Sequence, residues 1–146
     1  MINKPGIIVI LYKKEKDGIK YALFKRKEDW VGYEFLKGGM EKGETPIQTA
    51  IRELKEEAGL SYTKLIQSKH NYSFESKKNG ETVFHGMVVF FQKIASSDKI
   101  IIDNQEHSAV DFFEPKKLIF LLPFDSLKDL FRKVHEEILN HEKNDN

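Results

Sequence analysis

Cysteine is absent from this chain of 146 residues. Its absence excludes disulfide bridges, thiolate zinc sites and a cysteine nucleophile, and it is consistent with a reducing, cytoplasmic setting. An excess of one charge sign is also lacking, because 24 Lys and Arg side chains are matched by 23 Asp and Glu side chains and the net charge is +1. Proteins dedicated to nucleic acid usually carry a clear basic excess. The charge balance therefore argues against long nucleic acid as a partner.

Long apolar runs are missing as well. No stretch approaches the roughly 20 residues that a membrane-spanning helix needs, and the apolar stretch 7–12 is too short for a secretory signal. Hydrophobic residues nevertheless make up 40% of the chain, which is ample for a core. We therefore predict a single domain over residues 1–146 without a membrane partner. The sequence sets no oligomeric state.

Apolar periodicity and turn signals divide the chain into strands and helices. Strands are predicted over residues 7–12, 20–25, 65–74, 82–94 and 109–113, with turns at Asp17-Gly18 and Asn79-Gly80. Helices are predicted over 45–59, over 115–122, and from Asp125 or Ser126 onward, before a polar and frayed tail over 141–146. This mixture indicates one α/β (α+β) domain.

The helix over 45–59 has the clearest signature. Thr45 and Gln48 form a capping-box pattern around Pro46, and Gly59 supplies the left-handed stop. Its apolar residues recur at helical spacing and predict one core-facing stripe: Ile47, Ala50, Ile51, Leu54 and Ala58.

Three carboxylates of this helix, Glu53, Glu56 and Glu57, share a second face about 120° from the apolar stripe. Like charges at this spacing repel one another, and their position late in the helix is unfavourable to the macrodipole. A divalent cation would offset this cost, and oxygen ligands suit Mg²⁺ or Mn²⁺. A solvated acidic surface is the alternative interpretation of the same pattern.

The residues before the helix favour the metal interpretation. Gly38-Gly39 precedes the loop 40–44, and glycine lets a backbone approach a metal or a phosphate closely. The whole segment 38–60 resembles the Nudix box at every fixed position: a glycine, five residues, a glutamate, seven residues, then Arg-Glu-aliphatic-any-Glu-Glu-any-Gly-aliphatic. The resemblance implies a Nudix α/β/α sandwich with a mixed β-sheet.

The resemblance also implies roles for residues. Glu53, Glu56 and Glu57 would be metal ligands, joined by the backbone carbonyl of Gly38, with Arg52 and Glu44 as supports. The family hydrolyses a nucleoside diphosphate linked to another group, by attack of water on phosphorus.

Many members of this family place a further glutamate after the hairpin strands, and Glu106 stands at that place. The general base remains open between Glu56, Glu57 and Glu106. His107, beside it, is predicted to be a surface or capping residue.

Several segments outside the box are similar to asymmetrical dinucleoside tetraphosphate hydrolases. They are Trp30 with 35–39, which leads into the box, the segment 72–74, His85, Phe90-Phe91, and the segment 106–112. The chain departs from that subgroup where Leu36 replaces proline, Val110 replaces tyrosine and Phe112 replaces tryptophan.

Two residues are predicted to bind substrate. Lys37 offers a point charge to phosphate beside the metal loop, and Tyr72 can stack on a base. Phe90 and Phe91 are predicted to lie in the core of the sheet. The run 25–27 either steers a polyanion or is solvated charge at a strand end.

We therefore predict a Mg²⁺-dependent hydrolase (Mn²⁺ possible) of a nucleotide polyphosphate, with dinucleoside tetraphosphate cleaved to NTP and NMP as the leading reaction. Alternatives are hydrolysis of a nucleoside triphosphate, of ADP-ribose or of an RNA 5′ end, or a nucleotide-binding sensor without catalysis. A sensor would gain nothing from clustered carboxylates. The acidic box, with five acids against three bases, follows a basic stretch over 13–37, with eight bases against five acids.

Overall fold

A computed structural model describes residues 1–27, 31–61 and 64–144. Trp30 lies outside the described residues. The strands are β1 (Ile2–Asn3), β2 (Gly6–Glu15), β3 (Gly18–Arg26), β4 (Gly32–Glu34), β5 (Leu36–Gly39), β6 (Ile66–Lys78), β7 (Glu81–Lys93) and β8 (His107–Phe113). The helices are α1 (Pro46–Ala58), α2 (Pro115–Leu121) and α3 (Asp125–Asn144).

Strand β2 lies at the centre of a mixed sheet. It runs parallel to β7, with Gly6 opposite Met87 and Tyr12 opposite Lys93, and antiparallel to both β3 and β5. Its residues 6–12 are buried, as a strand covered on both faces requires. The remaining strands extend the sheet outward: β1 and β6 pair with β7, and β4 and β8 pair with β3.

Helices cover both faces of this sheet, which confirms the predicted α/β/α sandwich. One core joins alternate residues of β2 and β3 to apolar residues of α2 and α3 such as Leu118 and Phe131. The other core joins the opposite faces of those strands to Ala50, Leu54 and Ala58 of α1. Phe90 and Phe91 are buried in these two cores, as predicted.

The five predicted strands and three helices all form, whereas β1, β4 and β5 were not predicted. Strand β5 has the sequence Leu-Lys-Gly-Gly, and glycine is unfavourable in strands. It forms because Leu36 to Gly39 pair with Val9 to Gly6 of β2. Tertiary pairing thus overrides the local preference here.

The predicted apolar stripe of α1 is wrong at two positions. Ile47 and Ile51 are 42% and 36% exposed, while Ala50 and Leu54 are fully buried. The buried face is rotated toward the carboxylates, and its members are Thr49, Ala50, Glu53, Leu54, Glu57 and Ala58. The helix therefore turns two of its three clustered glutamates inward.

The C-terminal helix extends further than predicted. The apolar residues of α3 pack into the first core, but the frayed tail predicted from His141 is wrong over 141–144, which are helical. Glu142 is buried there, and its carboxylate accepts hydrogen bonds from Tyr12 Oη at 2.7 Å and Lys93 Nζ at 3.0 Å. Across the described ranges, no helix is long and apolar enough to span a membrane.

Candidate active site

The first turn of α1 fixes where the acidic residues lie. Thr45 Oγ1 accepts a hydrogen bond from the backbone N–H of Gln48 at 3.3 Å, and Gln48 Oε1 accepts one from the backbone N–H of Thr45 at 2.9 Å. This is the predicted capping box. Gly59 ends the helix in the left-handed region, at φ 63°. The helix thus begins and ends where the sequence indicated.

Arg52 connects the loop before α1 to the helix carboxylates. Its guanidinium donates to Glu44 at 2.7 and 3.0 Å, to Glu53 at 2.9 Å, to Glu56 at 3.3 Å and to the Gly39 carbonyl at 3.0 Å. The hydrogen bond from Arg52 is the main reason that the pKa of Glu44 falls to about 2. Arg52 thus holds loop, strand and helix together at one point.

Gly38 provides the space that Glu53 occupies. A Cβ atom at position 38 would overlap the carboxyl group of Glu53. Glu53 is buried, and burial raises the pKa of its carboxyl although Arg52 opposes this shift. The glycine therefore permits close packing of β5 on α1 beside the acidic cluster.

Glu57, Glu106 and His107 bring three potential metal-ligand atoms within 4.8 Å of one another. Glu57 is 7% exposed, and its Oε2 atom is buried without a hydrogen-bond partner in the described part of the chain. Burial, followed by the charges of Glu106, Glu53 and Asp103, raises the pKa of Glu57 to about 7. A buried carboxyl group among acidic neighbours, with an oxygen that accepts no hydrogen bond in the described part of the chain, fits a divalent cation.

The other predicted ligand, Glu56, has a different environment. Its side chain is 54% exposed and contacts Arg52. It lies outside the cluster of Glu57, Glu106 and His107. The three helix glutamates therefore do not occupy equivalent positions, because the helix turns Glu53 and Glu57 toward the sheet and leaves Glu56 at the rim.

Two buried residues of the site were missed in the sequence. Glu34, 5% exposed, ends β4, and His107, 3% exposed, begins β8. The prediction that His107 lies at the surface is wrong, because the pairing of both strands with β3 carries it inward. Its Nε2 atom lies 2.8 Å from Glu34 Oε2. No local pattern marks Glu34, whereas the Glu-His pair at 106–107 gave a partial signal.

Cations surround Glu34. Arg26 Nη1 donates to its Oε2 atom at 2.9 Å, and Lys37 Nζ lies 3.7 Å from its Oε1 atom. Burial by itself would raise the pKa of Glu34, but the hydrogen bond from His107 and the charges of Lys37 and Arg26 outweigh it, so the pKa is lowered. Glu34 is therefore a charged and compensated carboxylate.

A basic groove of about 400 Å³ adjoins the acidic cluster. Its lining includes Lys4, Arg26, Lys37, His85 and Glu106, together with the backbone of Gly38 and Gly39. The ring of His85 stacks on Phe74 at 4.4 Å between centroids. The charged lining of this groove is thus mainly basic, with Glu106 as its acidic residue.

An apolar pocket of about 220 Å³ continues from the groove, since Lys37 and Phe74 line both. Tyr72, Phe124 and Leu127 form much of its wall, and Tyr72 Oη lies 2.8 Å from Ser126 Oγ. The pocket therefore offers aromatic surface with a few polar groups.

Val110 and Phe112, the positions where the chain departs from the tetraphosphate hydrolases, pack instead against the core beneath α1. They line neither of these two cavities.

Known proteins resemble this chain in sequence and in fold. An RNA pyrophosphohydrolase of Bartonella bacilliformis is 28% identical over 122 residues, which cover 77% of this chain and 72% of that protein. The asymmetrical bis(5′-nucleosyl)-tetraphosphatase of Rattus norvegicus is 25% identical over 103 residues, covering 68% and 67%.

A crystal structure of a C. elegans Ap4A hydrolase binary complex has the same fold, with a TM-score of 0.78 at 20% identity, over 94% of this chain and 98% of that one. Residues 3–139 match the family described as NUDIX domain. That match includes the capping box of α1, Arg52 with its hydrogen bonds, and the buried Glu53 and Glu57. The chain belongs to the NUDIX domain family.

Proposed function

We propose that this protein hydrolyses a nucleotide polyphosphate in a Mg²⁺-dependent reaction, with a dinucleoside tetraphosphate cleaved to NTP and NMP. One observation carries the proposal: the acidic cluster of Glu57 and Glu106 opens into a basic groove that continues into an aromatic pocket. The metal would bind at the acidic cluster, the phosphate chain in the basic groove and the base in the aromatic pocket. Hydrolysis of pyrophosphate bonds is also the activity that the names of both sequence relatives describe.

Glu53 and Glu57 would hold the metal from α1, with Glu56 at the rim and the Gly38 carbonyl as a further ligand. When bound, Mg²⁺ would neutralise phosphate charge and make a bound water more acidic. Oxygen ligands suit this ion, and Mn²⁺ is the alternative. Arg52 would keep Glu53 and Glu56 oriented through its hydrogen bonds.

Glu106 is the carboxylate best placed to take a proton from the attacking water. It belongs to the acidic cluster and also lines the groove, whereas Glu57 is buried behind it. A general base must reach both the water and the solvent path for the proton. Glu106 would therefore act as the base, with Glu57 as a ligand.

Lys37 and Tyr72 would bind the substrate. Lys37 lines both cavities, so its ammonium group can contact a phosphate chain that passes from one to the other. Tyr72 presents a half-buried ring in the apolar pocket, where a base can stack. The dinucleoside class is favoured because it supplies a long polyphosphate and an aromatic end together.

Removal of the 5′ pyrophosphate from RNA is the second candidate. It is favoured by the likeness to the bacterial RNA pyrophosphohydrolase, at 28% identity. A non-catalytic sensor is disfavoured, because burial and the charges of Glu106 and Glu53 raise the pKa of Glu57, and this arrangement is unfavourable without a bound cation. The cytoplasmic location stays a prediction.

The decisive experiment measures turnover of a substrate panel with Mg²⁺ or Mn²⁺, with products separated by chromatography. The panel contains diadenosine tetraphosphate, ADP-ribose, NADH, nucleoside triphosphates and 5′-triphosphorylated RNA. We expect diadenosine tetraphosphate to be cleaved best, giving ATP and AMP. Two ADP molecules would contradict asymmetric cleavage, preferred cleavage of RNA would support the second candidate, and no turnover of any member would support a sensor.

The aromatic pocket is tested by Tyr72→Ala. Loss of one stacking partner should raise KM for diadenosine tetraphosphate about tenfold, since such contacts contribute about 1–3 kcal/mol. The kcat value should change little. Phe120→Ala is the matched control, because Phe120 is 86% exposed and does not line the pocket. An unchanged KM for Tyr72→Ala would make this tyrosine a packing residue only.

A further inference from the structure

Three buried side chains from different elements contact one another at the acidic cluster. Glu34 ends β4, His107 begins β8, and Glu57 lies in α1. His107 Nε2 lies 2.8 Å from Glu34 Oε2, and His107 Nδ1 lies 3.6 Å from Glu57 Oε2. The imidazole thus stands between two carboxylates that belong to separate parts of the fold.

The hydrogen-bonding pattern at Glu34 determines the orientation of the imidazole. Glu34 already receives a hydrogen bond from Arg26 and the charge of Lys37, so its carboxylate is an acceptor and His107 Nε2 is the donor. The ring also packs against Phe24, at 5.3 Å between centroids. Glu34 and Phe24 therefore hold the imidazole through contacts other than the one with Glu57.

The opposite ring nitrogen faces the metal-binding carboxylate. His107 Nδ1 and Glu57 Oε2 are both buried, and neither has a hydrogen-bond partner in the described ranges. The imidazole edge therefore restricts where the Glu57 carboxylate can turn within the cluster. The same Glu34 contacts Lys37, which lines the groove.

We infer that His107 is a positioning residue: anchored by Glu34, it sets the orientation of the Glu57 carboxylate for metal binding, and Glu34 links that orientation to Lys37 in the substrate groove. The inference rests on the proposed function, in which Glu57 is a metal ligand. Partners that orient a ligand typically contribute 10- to 100-fold to metal affinity or activity. His107 touches neither water nor phosphate in this role.

Two amide substitutions separate the two contacts of His107. In His107→Gln the side-chain amide can reach the position of Nε2 and keep the Glu34 contact while leaving Glu57. In His107→Asn the amide can reach the position of Nδ1 and keep the Glu57 contact while leaving Glu34. Both variants lose the ring, so their effects on packing are matched. Glu142→Gln is the control, a buried carboxylate in a hydrogen-bonded network formed with Tyr12 and Lys93 rather than with the site.

The measurement is Mn²⁺ binding to the folded protein without substrate, by titration calorimetry and electron paramagnetic resonance. We expect His107→Gln to raise the Mn²⁺ Kd by roughly 10- to 100-fold, His107→Asn to raise it less, because it keeps the contact with Glu57 but loses the anchor on Glu34, and Glu142→Gln to leave Kd unchanged. Equal weakening by Gln and Asn, or a parental Kd for His107→Gln, would overturn the inference. A nitrogen coupling to bound Mn²⁺ that disappears in His107→Gln would also overturn it, because His107 would then be a ligand itself.

Two further variants keep the result interpretable. Glu57→Gln in the same titration tests the proposed function: an unchanged Kd there would overturn the metal-ligand role of Glu57, whereas a raised Kd with a parental His107→Gln overturns only the positioning role. If both His107 variants fail to fold, Glu34→Gln leaves the imidazole in place and tests its anchor. A raised Mn²⁺ Kd in Glu34→Gln would support the inference, and a parental Kd would overturn it.

Discussion

Glu34 and Glu57 are both almost fully buried, lie on either side of one histidine, and yet have opposite electrostatics. Arg26, Lys37 and His107 hold the pKa of Glu34 below its ordinary value. Burial and three neighbouring acids raise the pKa of Glu57 to about 7. Burial alone thus says little about the role of a carboxylate. The neighbours make the difference, because Glu34 lies among cations whereas Glu57 lies mainly among acids.

The largest expected effect comes from removing the charge of Glu57. Glu57→Gln should lower kcat by about 10²- to 10³-fold with Mg²⁺, because a metal ligand is lost where charge develops. The fold should persist, since repulsion from Glu106 and Glu53 is relieved. Steady-state kinetics and circular dichroism check both statements. Retention of full activity would contradict the role of Glu57.

Glu34→Gln should mainly lower the stability of the fold, whereas Glu57→Gln mainly lowers activity. Arg26 and His107 would lose their charged partner in a buried site, where breaking an ion pair costs about 3 kcal/mol or more. The free energy of unfolding, measured by urea denaturation, should fall by about that amount. The free energy of unfolding of Glu57→Gln, measured under the same conditions, should not fall. If the two variants lost equal stability, the contrast between the two carboxylates would be contradicted.

The pH dependence of stability sharpens the same contrast. In the metal-free protein, Glu57 keeps its proton up to about pH 7, whereas in the unfolded chain it loses it near 4.3. The folded state then binds more protons between these values, so the free energy of unfolding falls as pH rises through that window. Glu34 has the opposite sign, because its lowered pKa adds stability that is lost as pH falls through that pKa.

We therefore expect the melting temperature of the metal-free protein to fall by several degrees more from pH 5 to pH 8 than that of Glu57→Gln. The charged or titratable groups that act on Glu57 are Glu53, Glu106, Asp103 and His107. Because both proteins contain these groups, the difference between their melting temperatures isolates the contribution of Glu57. Mg²⁺ should flatten the difference, since it favours the ionised carboxylate. If the melting temperatures of the two metal-free proteins changed equally with pH, the raised pKa of Glu57 would be contradicted.

The smallest expected effect comes from Lys37, which contacts Glu34 and lines the groove. Lys37→Gln should raise KM for a polyphosphate substrate about tenfold, equal to about 1.4 kcal/mol, with kcat nearly unchanged. The reason is that Lys37 contacts the groove and Glu34 but lies outside the metal cluster. Lys25→Gln is a control at a lysine of β3 that lines neither cavity. A lower kcat at constant KM would assign Lys37 to the chemical step.

The sequence predicted those parts of the site that depend on local spacing. The cap at Thr45, the stop at Gly59 and the helical placement of Glu53 and Glu57 follow from the period of the helix. The rotation of α1 was missed, because which face a helix buries is set by packing: Ile47 and Ile51 are exposed while two glutamates turn inward.

Glu34 could not be found in the sequence because its partners come from three different strands, one of them 73 residues away. Arg26, Lys37 and His107 meet it through the pairing of β3 with β4 and β8 and through the short step to β5. A lone glutamate at a strand end carries no signal of that neighbourhood. His107 was assigned to the surface for the same reason, since its burial depends on strand register.

The parallel pairing of β2 with β7 has a consequence for biosynthesis. Strand β2 is synthesised well before its neighbour β7, whose Met87 lies opposite Gly6. Contacts between such distant segments form late in folding. Until β7 arrives, an apolar strand presents an unpaired edge, which is a hazard for aggregation. Glu106 and His107 follow β7, and α2 and α3 follow them, so the acidic cluster cannot assemble before β7 and the start of β8 have been made.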